Sequence, residues 1–490
     1  MRVAFHTLGC KVNQYETEAM KEAFVSRGAL IVGEDEIADV YIVNTCTVTH
    51  IADRKSRQYI RRKKSMNPDA LIAVTGCYAQ VEPDEIAGMP EVNLVIGNGL
   101  KSTICDEVFR RFREKKTYVN VLPRNELTEF EDMGIVVSSE SAMTRAYIKI
   151  QEGCDRFCSY CLIPFARGTV RSRSPEKIME EARLLIDSGY KELVLTGINT
   201  ALYGTEESFE YNIYDSQGNI RKGLEPFGRE LQCDVHREPS GSDSDSCTDE
   251  DRDGERLPDI AAGESFAPIE LLLAELNAME GDFRIRLSSL EPTVVDKHDV
   301  ERIIKYDKLC HHLHLSAQSG SSRILKLMNR KYTQDEYLAI VRAIREYDPL
   351  YGITTDIIVG FSGETEADFE DSLKVVRESE FGKTHIFRYS KRRGTAGEKM
   401  PDEVPGAVKN ERAGALAEAA EGAARAFVNA NLGHEQLVLT EERSGPYVTG
   451  YTGNYIRAYI KDENESLATG EFYNVKLTQI FEDGCLAEIC

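Results

Sequence analysis

At 490 residues the chain is too long for one hydrophobic core, so about two to four domains are expected. It is 41% hydrophobic and 29% charged, the balance of a globular protein, and no apolar run reaches the length of a membrane span. The formal charge of −22 excludes a surface that is basic throughout; 17 acidic and 6 basic residues fall between Thr205 and Ser265, so half the excess sits in one segment.

Residues 1–135 alternate strand and helix signals. MRVAFHTLGC begins β-rich, NQYETEAMKEAFVSRG follows as a helix closed by Gly28, ADVYIVNTC and ALIAVTGC repeat the strand, and DRKSRQYIRRKKS supplies another helix. Such alternation predicts a doubly wound parallel α/β sheet. Cys10, Cys46 and Cys77 each follow one of the three strands, where such sheets gather functional groups. Residues 142–390 form a longer βα series, from RAYIKIQ to THIFRYS, whose repeats fit a partial (βα)6 barrel. Ser174-Pro175 reads as an N-cap and first-turn proline. An acidic insertion at about 205–265 interrupts the series: PSGSDSDSCTDEDRDGE favours disorder, and the preceding EYNIYDSQGNIRKGLEPFGRELQ has enough apolar residues for a small hairpin or helix. Residues 391–430 are an alanine-rich helical connector, and 431–490 predict a small β-barrel. Its Tyr447, Tyr451, Tyr455 and Tyr459, with Arg457 and Lys461, suit stacking on bases and meeting phosphates, or ordinary packing. Basic clusters such as DRKSRQYIRRKK, RGTVRSR and SKRRG permit a polyanionic substrate without establishing one.

The opening stretch MRVAFHTLGCKVNQ lacks the apolar core and cleavage site of a secretory signal, so the expected compartment is the cytoplasm. There, clustered cysteines point to metal or catalysis rather than disulfides. EGCDRFCSYCLIPFARG sets Cys154, Cys158 and Cys161 in a C-x₃-C-x₂-C pattern. No cysteine or histidine follows Cys161 at the spacing that would close a structural zinc tetrahedron. Three thiolates at the mouth of a barrel fit a [4Fe–4S] cluster with one iron left open. Cys310-His311-His312-Leu313-His314 also looks metal-binding, since alternate positions share a strand face, but it is read here as a buried barrel strand and not as a third metal site. Cys105, Cys233, Cys247, Cys485 and Cys490 have no partner at a useful spacing.

The C-x₃-C-x₂-C loop with Tyr160, in a barrel context, resembles the radical S-adenosylmethionine (SAM) enzymes. The resemblance implies that Cys154, Cys158 and Cys161 ligate three irons while SAM chelates the fourth and, on one-electron reduction, yields a 5′-deoxyadenosyl radical. Gly197 and Asn199 in LTGIN, Ser289 and Glu291 in SSLEP, and Gln318 and Ser319 in LSAQSG are candidate SAM contacts. GCKVNQYE, NTCTVTHIADRKSR and TGCYAQ resemble the N-terminal domain of methylthiotransferases, which implies a second [4Fe–4S] cluster on Cys10, Cys46 and Cys77. The likeness spans nearly the whole chain, with a TRAM-type RNA-binding barrel at the end. GCKVNQYE, LTGINT, RLSSLEP and GYTGNYIR most resemble the branch that converts N6-threonylcarbamoyladenosine at tRNA position 37 to its 2-methylthio derivative. SAM then serves as radical source and methyl donor, and tRNA, an electron donor such as flavodoxin or ferredoxin, and a sulfur donor are the implied partners, with no membrane. Competing readings are methylthiolation of isopentenyladenosine in tRNA or of an aspartate in a ribosomal protein, and a non-enzymatic two-cluster electron carrier with an RNA-binding tail. The insertion at about 205–265 and Ser362, where the family commonly has proline, depart from the pattern.

Overall fold

The computed structural model describes all residues except 115, 135–143, 210, 215–219, 225–265 and 293. The acidic low-complexity stretch, with Cys233 and Cys247, lies outside the described residues.

Strands β1 (Arg2–Thr7), β2 (Leu30–Val32), β3 (Val40–Thr45), β4 (Leu71–Gly76), β5 (Leu94–Ile96) and β6 (Tyr118–Asn120) form one sheet in the order β2-β1-β3-β4-β5-β6. Every pairing in it is parallel, the doubly wound arrangement that the alternating pattern predicts. β3 and β4 are buried at every position, as expected of central strands covered on both faces. Helices α1 (Lys11–Val25) and α2 (His50–Met66) follow β1 and β3, and the short α3 (Cys77–Val81) follows β4. Hence the three cysteines stand at the carboxyl ends of three neighbouring strands.

β7 (Arg145–Lys149) leads into β8 (Gln151–Glu152), which pairs antiparallel with β9 (Arg171–Ser172) around the cysteine loop. β10 (Glu192–Thr196) lies beside β7, and the hairpin β11 (Tyr211–Tyr214) with β12 (Ile220–Leu224) leaves the series before it resumes. β13 (Arg284–Leu287), β14 (Ser289–Leu290), β15 (His312–Leu315), β16 (Gly352–Val359) and β17 (Lys383–Arg388) complete it. The run is parallel throughout, as β13-β10-β7 and β14-β15-β16-β17, and only Ser288 separates β13 from β14. Alternation places Ile148, Leu193, Ile285, Leu287 and Leu313 in the apolar core under the helices. Lys149, Arg286, His314 and Asp356 therefore face the lumen. Capping boxes at Thr333/Glu336 and Thr365/Asp368 start two of the covering helices. Helix Pro175–Asp187 does begin on its proline, but the Ser174 side chain makes no cap hydrogen bond, so Pro175 carries that start alone.

A helix over Gly406–Asn431 leads to a closed barrel of β18 (Glu435–Ser444), β19 (Tyr447–Thr452), β20 (Arg457–Lys461), β21 (Phe472–Phe481) and β22 (Gly484–Ile489), in the order β18-β19-β20-β22-β21. Among its tyrosines, Tyr451 and Tyr455 stack on each other with ring centroids 5.0 Å apart. Tyr455 stacks on His312 with ring centroids 4.7 Å apart, Arg286 lies 4.8 Å over its ring, and Arg145 lies 4.9 Å over Tyr451. These two rings dock the small barrel onto the central one. Tyr459 is buried against Tyr447 and Phe481.

Candidate active site

The first cysteine set is assembled by backbone geometry. Gly76 has φ +94°, and a Cβ there would lie 2.3 Å from the Thr45 carbonyl oxygen, so only glycine lets β4 turn into Cys77 against the end of β3. Asn13 Nδ2 donates to Leu8 O at 2.7 Å and to Thr45 O at 3.0 Å, tying the loops that carry Cys10 and Cys46. A Cβ on Gly9 would come 2.9 Å from Cys46 Sγ, which measures how closely these loops approach. Burial pushes the Cys46 thiol up to about 12, with the neighbouring Cys77 and Cys10 adding to it. Cys10 keeps an accessible face, yet its dense surroundings raise its thiol too, opposed by Arg167.

The second set sits on the loop between β8 and helix Ile163–Arg167. Gly153 has φ +74°, and a Cβ there would overlap the Thr169 carbonyl oxygen at 1.6 Å, so glycine is required where the chain enters Cys154. Asn329 Nδ2 donates to the carbonyls of Arg156 at 3.1 Å and Phe157 at 3.0 Å, and Phe157 itself has φ +46°. Burial raises the Cys154 thiol to about 12 and the Cys161 thiol further still, Cys158 being the next contributor for Cys161.

The chemistry of these donors fits iron–sulfur clusters. In each set two thiols, Cys10 and Cys46 or Cys154 and Cys161, are raised by burial, so a bound metal's charge would be what favours their thiolates. N–H groups already point at the sulfurs: Asn98 Nδ2 is 3.7 Å from Cys77 Sγ, Arg330 Nη1 is 3.5 Å from Cys158 Sγ, and Ile163 N is 3.4 Å from Cys161 Sγ. Such donors stabilise cluster sulfur and tune its potential.

One cavity of about 310 Å³ is lined by the whole second set and by one member of the first, Cys10 and Cys46 not being among its lining residues. Cys77 lines it from the N-terminal sheet, and Cys154, Cys158 and Cys161 line it from the barrel. Arg392, 6% exposed, also lines it; Arg392 Nη2 donates to Thr47 Oγ1 at 2.6 Å and Asp53 Oδ2 at 2.8 Å, while its Nε and Nη1 have no hydrogen-bond partner among the described residues. Of the sequence-chosen SAM contacts, Asn199, Ser289, Glu291 and Gln318 are on the wall. Glu291 is buried, accepts from Asn199 Nδ2 at 2.7 Å, and lies 3.3 Å from Arg330 and 3.4 Å from Arg156. Gln318 holds φ +65°, a strained conformation that such sites often retain.

Gly197 and Ser319 are not on that wall. Gly197 makes room for Gln151, whose Oε1 accepts from Ile198 N at 3.0 Å and Asn199 N at 3.1 Å. Ser319 is buried, and its Oγ accepts from Ser321 N at 3.2 Å. Of the Cys310–His314 run, His312 and His314 both meet Thr354 Oγ1, a hydroxyl and not a metal-ligand set, while His311 turns away. His311 is exposed and pairs with Asp348 at 2.7 Å, whereas His312 bonds Thr354 at 3.0 Å. Cys105 is core, and its Sγ donates to Ala23 O at 3.4 Å.

Residues that composition did not single out hold the two domains together. Glu16 of α1 accepts from Arg167 Nη1 at 2.8 Å and Lys149 Nζ at 3.1 Å, and also pairs with Lys101. Glu152 pairs with Lys149 and Arg167 at 2.8 Å each and lies 3.5 Å from Arg171. All six are at most 2% exposed. The RGTVRSR cluster therefore faces the protein interior and not a polyanion. Burial opposes ionisation of Glu16, but Arg167, Lys101 and Lys149 hold its carboxyl well below the usual range.

Comparison with known proteins agrees with this architecture. Residues 2–97 match the model of the uncharacterized protein family UPF0004, and residues 148–376 match that of the radical SAM superfamily. The threonylcarbamoyladenosine tRNA methylthiotransferase MtaB of Bacillus subtilis is 36% identical, over 97% of this chain and 93% of its own. The enzyme of the same name from Aquifex aeolicus is 38% identical, over 90% and 94%. A tRNA-2-methylthio-N(6)-dimethylallyladenosine synthase from Moorella thermoacetica is 33% identical, over 96% and 95%. A solved structure of the radical SAM methyltransferase TsrM from Kitasatospora setae covers 79% of this chain and 74% of its own at 12% identity and a TM-score of 0.49, too weak a likeness to add to the assignment. Matched over nearly its full length, and with the barrel-loop cysteines and Cys77 lining one cavity, the chain belongs to the radical SAM tRNA methylthiotransferase family.

Proposed function

We propose that the protein methylthiolates C2 of N6-threonylcarbamoyladenosine at position 37 of tRNA. The observation that carries this reading is the shared cavity: a radical-forming site and a sulfur-handling site that serve one carbon atom must open on the same space. The names of the Bacillus and Aquifex relatives favour the threonylcarbamoyl nucleoside over the isopentenyl one.

In this reading Cys154, Cys158 and Cys161 hold one [4Fe–4S] cluster, and Cys10, Cys46 and Cys77 hold a second. When bound, the clusters and SAM supply the radical, the methyl group and the sulfur that an aromatic C–H bond without a leaving group requires. The chain's own residues position and shield. Asn199, Ser289, Glu291 and Gln318 face the space where SAM binds, and Glu291 is fixed between Arg156 and Arg330. Arg330, through its hydrogen bond to Cys158, couples that carboxylate to the cluster ligand. Arg392, with two N–H groups lacking a hydrogen-bond partner among the described residues, offers donors at the cavity to an anionic group. An electron donor of flavodoxin or ferredoxin type and a sulfur donor complete the partners, and the cytoplasm is the compartment that supplies them.

Anaerobically reconstituted protein is expected to carry roughly eight irons, in two [4Fe–4S] clusters. A persistent stoichiometry of half that number in iron and sulfide assays removes the second cluster. Nucleoside mass spectrometry of tRNA from cells lacking the protein tests the substrate. The expected result is loss of 2-methylthio-N6-threonylcarbamoyladenosine alone. Loss of the isopentenyl derivative moves the enzyme to the other branch, and an unchanged tRNA profile favours the ribosomal-protein substrate.

A further inference from the structure

The barrel lumen carries a polar cluster that neither cysteine set uses. His314, Asp356 and His385, on β15, β16 and β17, bring one nitrogen or oxygen each within 4.8 Å of the others. Strand register accounts for this: His314 lies beside Thr354, and Asp356 lies beside His385. Two of the three are ordered by hydrogen bonds. His314 Nδ1 is 2.9 Å from Thr354 Oγ1, its Nε2 is 3.1 Å from Asp356 Oδ2, and Ser316 Oγ donates to Asp356 Oδ2 at 3.2 Å. His385 is exposed and makes no side-chain hydrogen bond among the described residues. Asp356 and Ser316 line the cavity beside the cysteines, as does Phe387 two positions along β17 from His385; His314 and His385 border it from behind that wall, joined to it through Asp356.

The chemistry of the three groups is specific. Burial works against ionisation of Asp356, but the hydrogen bond and charge of His314, together with His385, hold its carboxyl below the usual range, so it accepts hydrogen bonds. The ring of His385 is exposed at one edge; partial desolvation on its other side, opposed by Asp356 and assisted by His314, Lys383 and Lys11, lowers it from the ordinary imidazole value. At neutral pH it therefore meets a ligand as a neutral ring with one N–H to give. Lys11, in the first turn of α1, acts on the same ring from the N-terminal domain. An acceptor and a donor match an amino acid joined through a urea: N–H or hydroxyl on the carboxylate, and carbonyl on the imidazole. An isopentenyl group offers none of these, and entering such a pocket would leave polar groups unpaired.

We propose that His385, seated against the His314–Asp356 pair, is the specificity-determining residue that receives the urea-linked amino-acid substituent of the substrate adenosine. This rests on the threonylcarbamoyl reading above, and the test separates the two. Reconstituted enzyme is given anticodon stem-loops bearing threonylcarbamoyladenosine, isopentenyladenosine or plain adenosine at position 37, and kcat/KM is measured for each. The readout is the ratio between substrates, which does not depend on how much of a preparation is active. Wild-type preference for the isopentenyl RNA defeats the functional reading before any variant is made. With the threonylcarbamoyl preference established, His385→Phe is expected to lower the ratio to plain adenosine by at least about tenfold, because the ring remains but the donor is gone. His385→Gln keeps an N–H donor and is expected to stay within about threefold of wild type. An unchanged ratio in His385→Phe overturns the proposal, as does an equal fall in both variants. One divalent metal bound beyond the cluster iron and lost in His385→Phe also overturns it, since the three groups would then be ligands.

Discussion

In the Cys154→Ala variant, formation of 5′-deoxyadenosine from SAM is expected to fall to the limit of detection. In Cys46→Ala, SAM cleavage persists and the methylthio nucleoside is what disappears. The split follows from placement. Cys154 enters the barrel loop through Gly153, and with Cys158 and Cys161 it makes the whole set on that side of the cavity. Cys46 belongs to a loop of the N-terminal sheet, beside Cys10 and Cys77, and touches no residue of the barrel loop through its thiol among the described contacts. Each variant should lose about half of the iron, so iron content alone does not distinguish them. The paired assay of deoxyadenosine and modified nucleoside does. A Cys46→Ala enzyme that still thiolates tRNA would remove the sulfur role from the N-terminal set.

Glu16→Gln is expected to be the most damaging substitution away from the cysteines. It leaves Lys101, Lys149, Arg167 and Arg171, all buried, with Glu152 as the remaining carboxylate of the network. Breaking a buried network from one side costs about 3–5 kcal/mol, because the charges left behind stay out of water. The urea midpoint should fall accordingly, and the double variant Glu16→Gln, Lys101→Met should recover part of the loss. The pH dependence has a definite sign. The folded-state carboxyl of Glu16 lies well below its ordinary value of 4.5, so its contribution is complete above that value and is lost as pH falls toward the folded one. The gap between variant and wild type should be flat from about pH 5.5 to 8 and narrow in acid. A midpoint equal to wild type at neutral pH would show that the network contributes nothing to holding the domains.

Much of this was legible in the sequence, for reasons that differ by element. Parallel strands such as VYIVNT and LIAVTG announce themselves because burial on both faces demands unbroken apolar runs, and cysteines at their ends mark a crevice. The short C-x₃-C-x₂-C spacing is local, so no fold was needed to see it. Four of six proposed SAM contacts reach the cavity, whereas Gly197 and Ser319 turn one position away from it, which a strand-end motif cannot resolve. Long-range pairing was the part that stayed hidden. Arg167 looked like one of several surface cations, and only the docking of α1 beside β7 brings Glu16 to it. Tyr451 and Tyr455 looked like nucleic-acid contacts because aromatic and basic residues alternate there; the arginines they meet come from strands some 165 to 310 residues earlier, as Arg286 and Arg145. Asn13 and Asn329, which brace the two cysteine loops, carry no sequence signal beyond their ability to donate twice.

The charges between the two larger domains have a consequence for how such a protein can be assembled. Glu16 and Lys101 belong to one side, and Lys149, Glu152, Arg167 and Arg171 to the other. The second side on its own holds three buried cations against one carboxylate, and the first brings a second carboxylate, together with a cation of its own, to pair with Lys149 and Arg167. Neither is therefore a self-sufficient module on a string. They are complementary halves of one folding unit, and a radical barrel grafted onto a different sulfur-carrying domain would leave Lys149 and Arg167 without their second carboxylate unless Glu16 travelled with it.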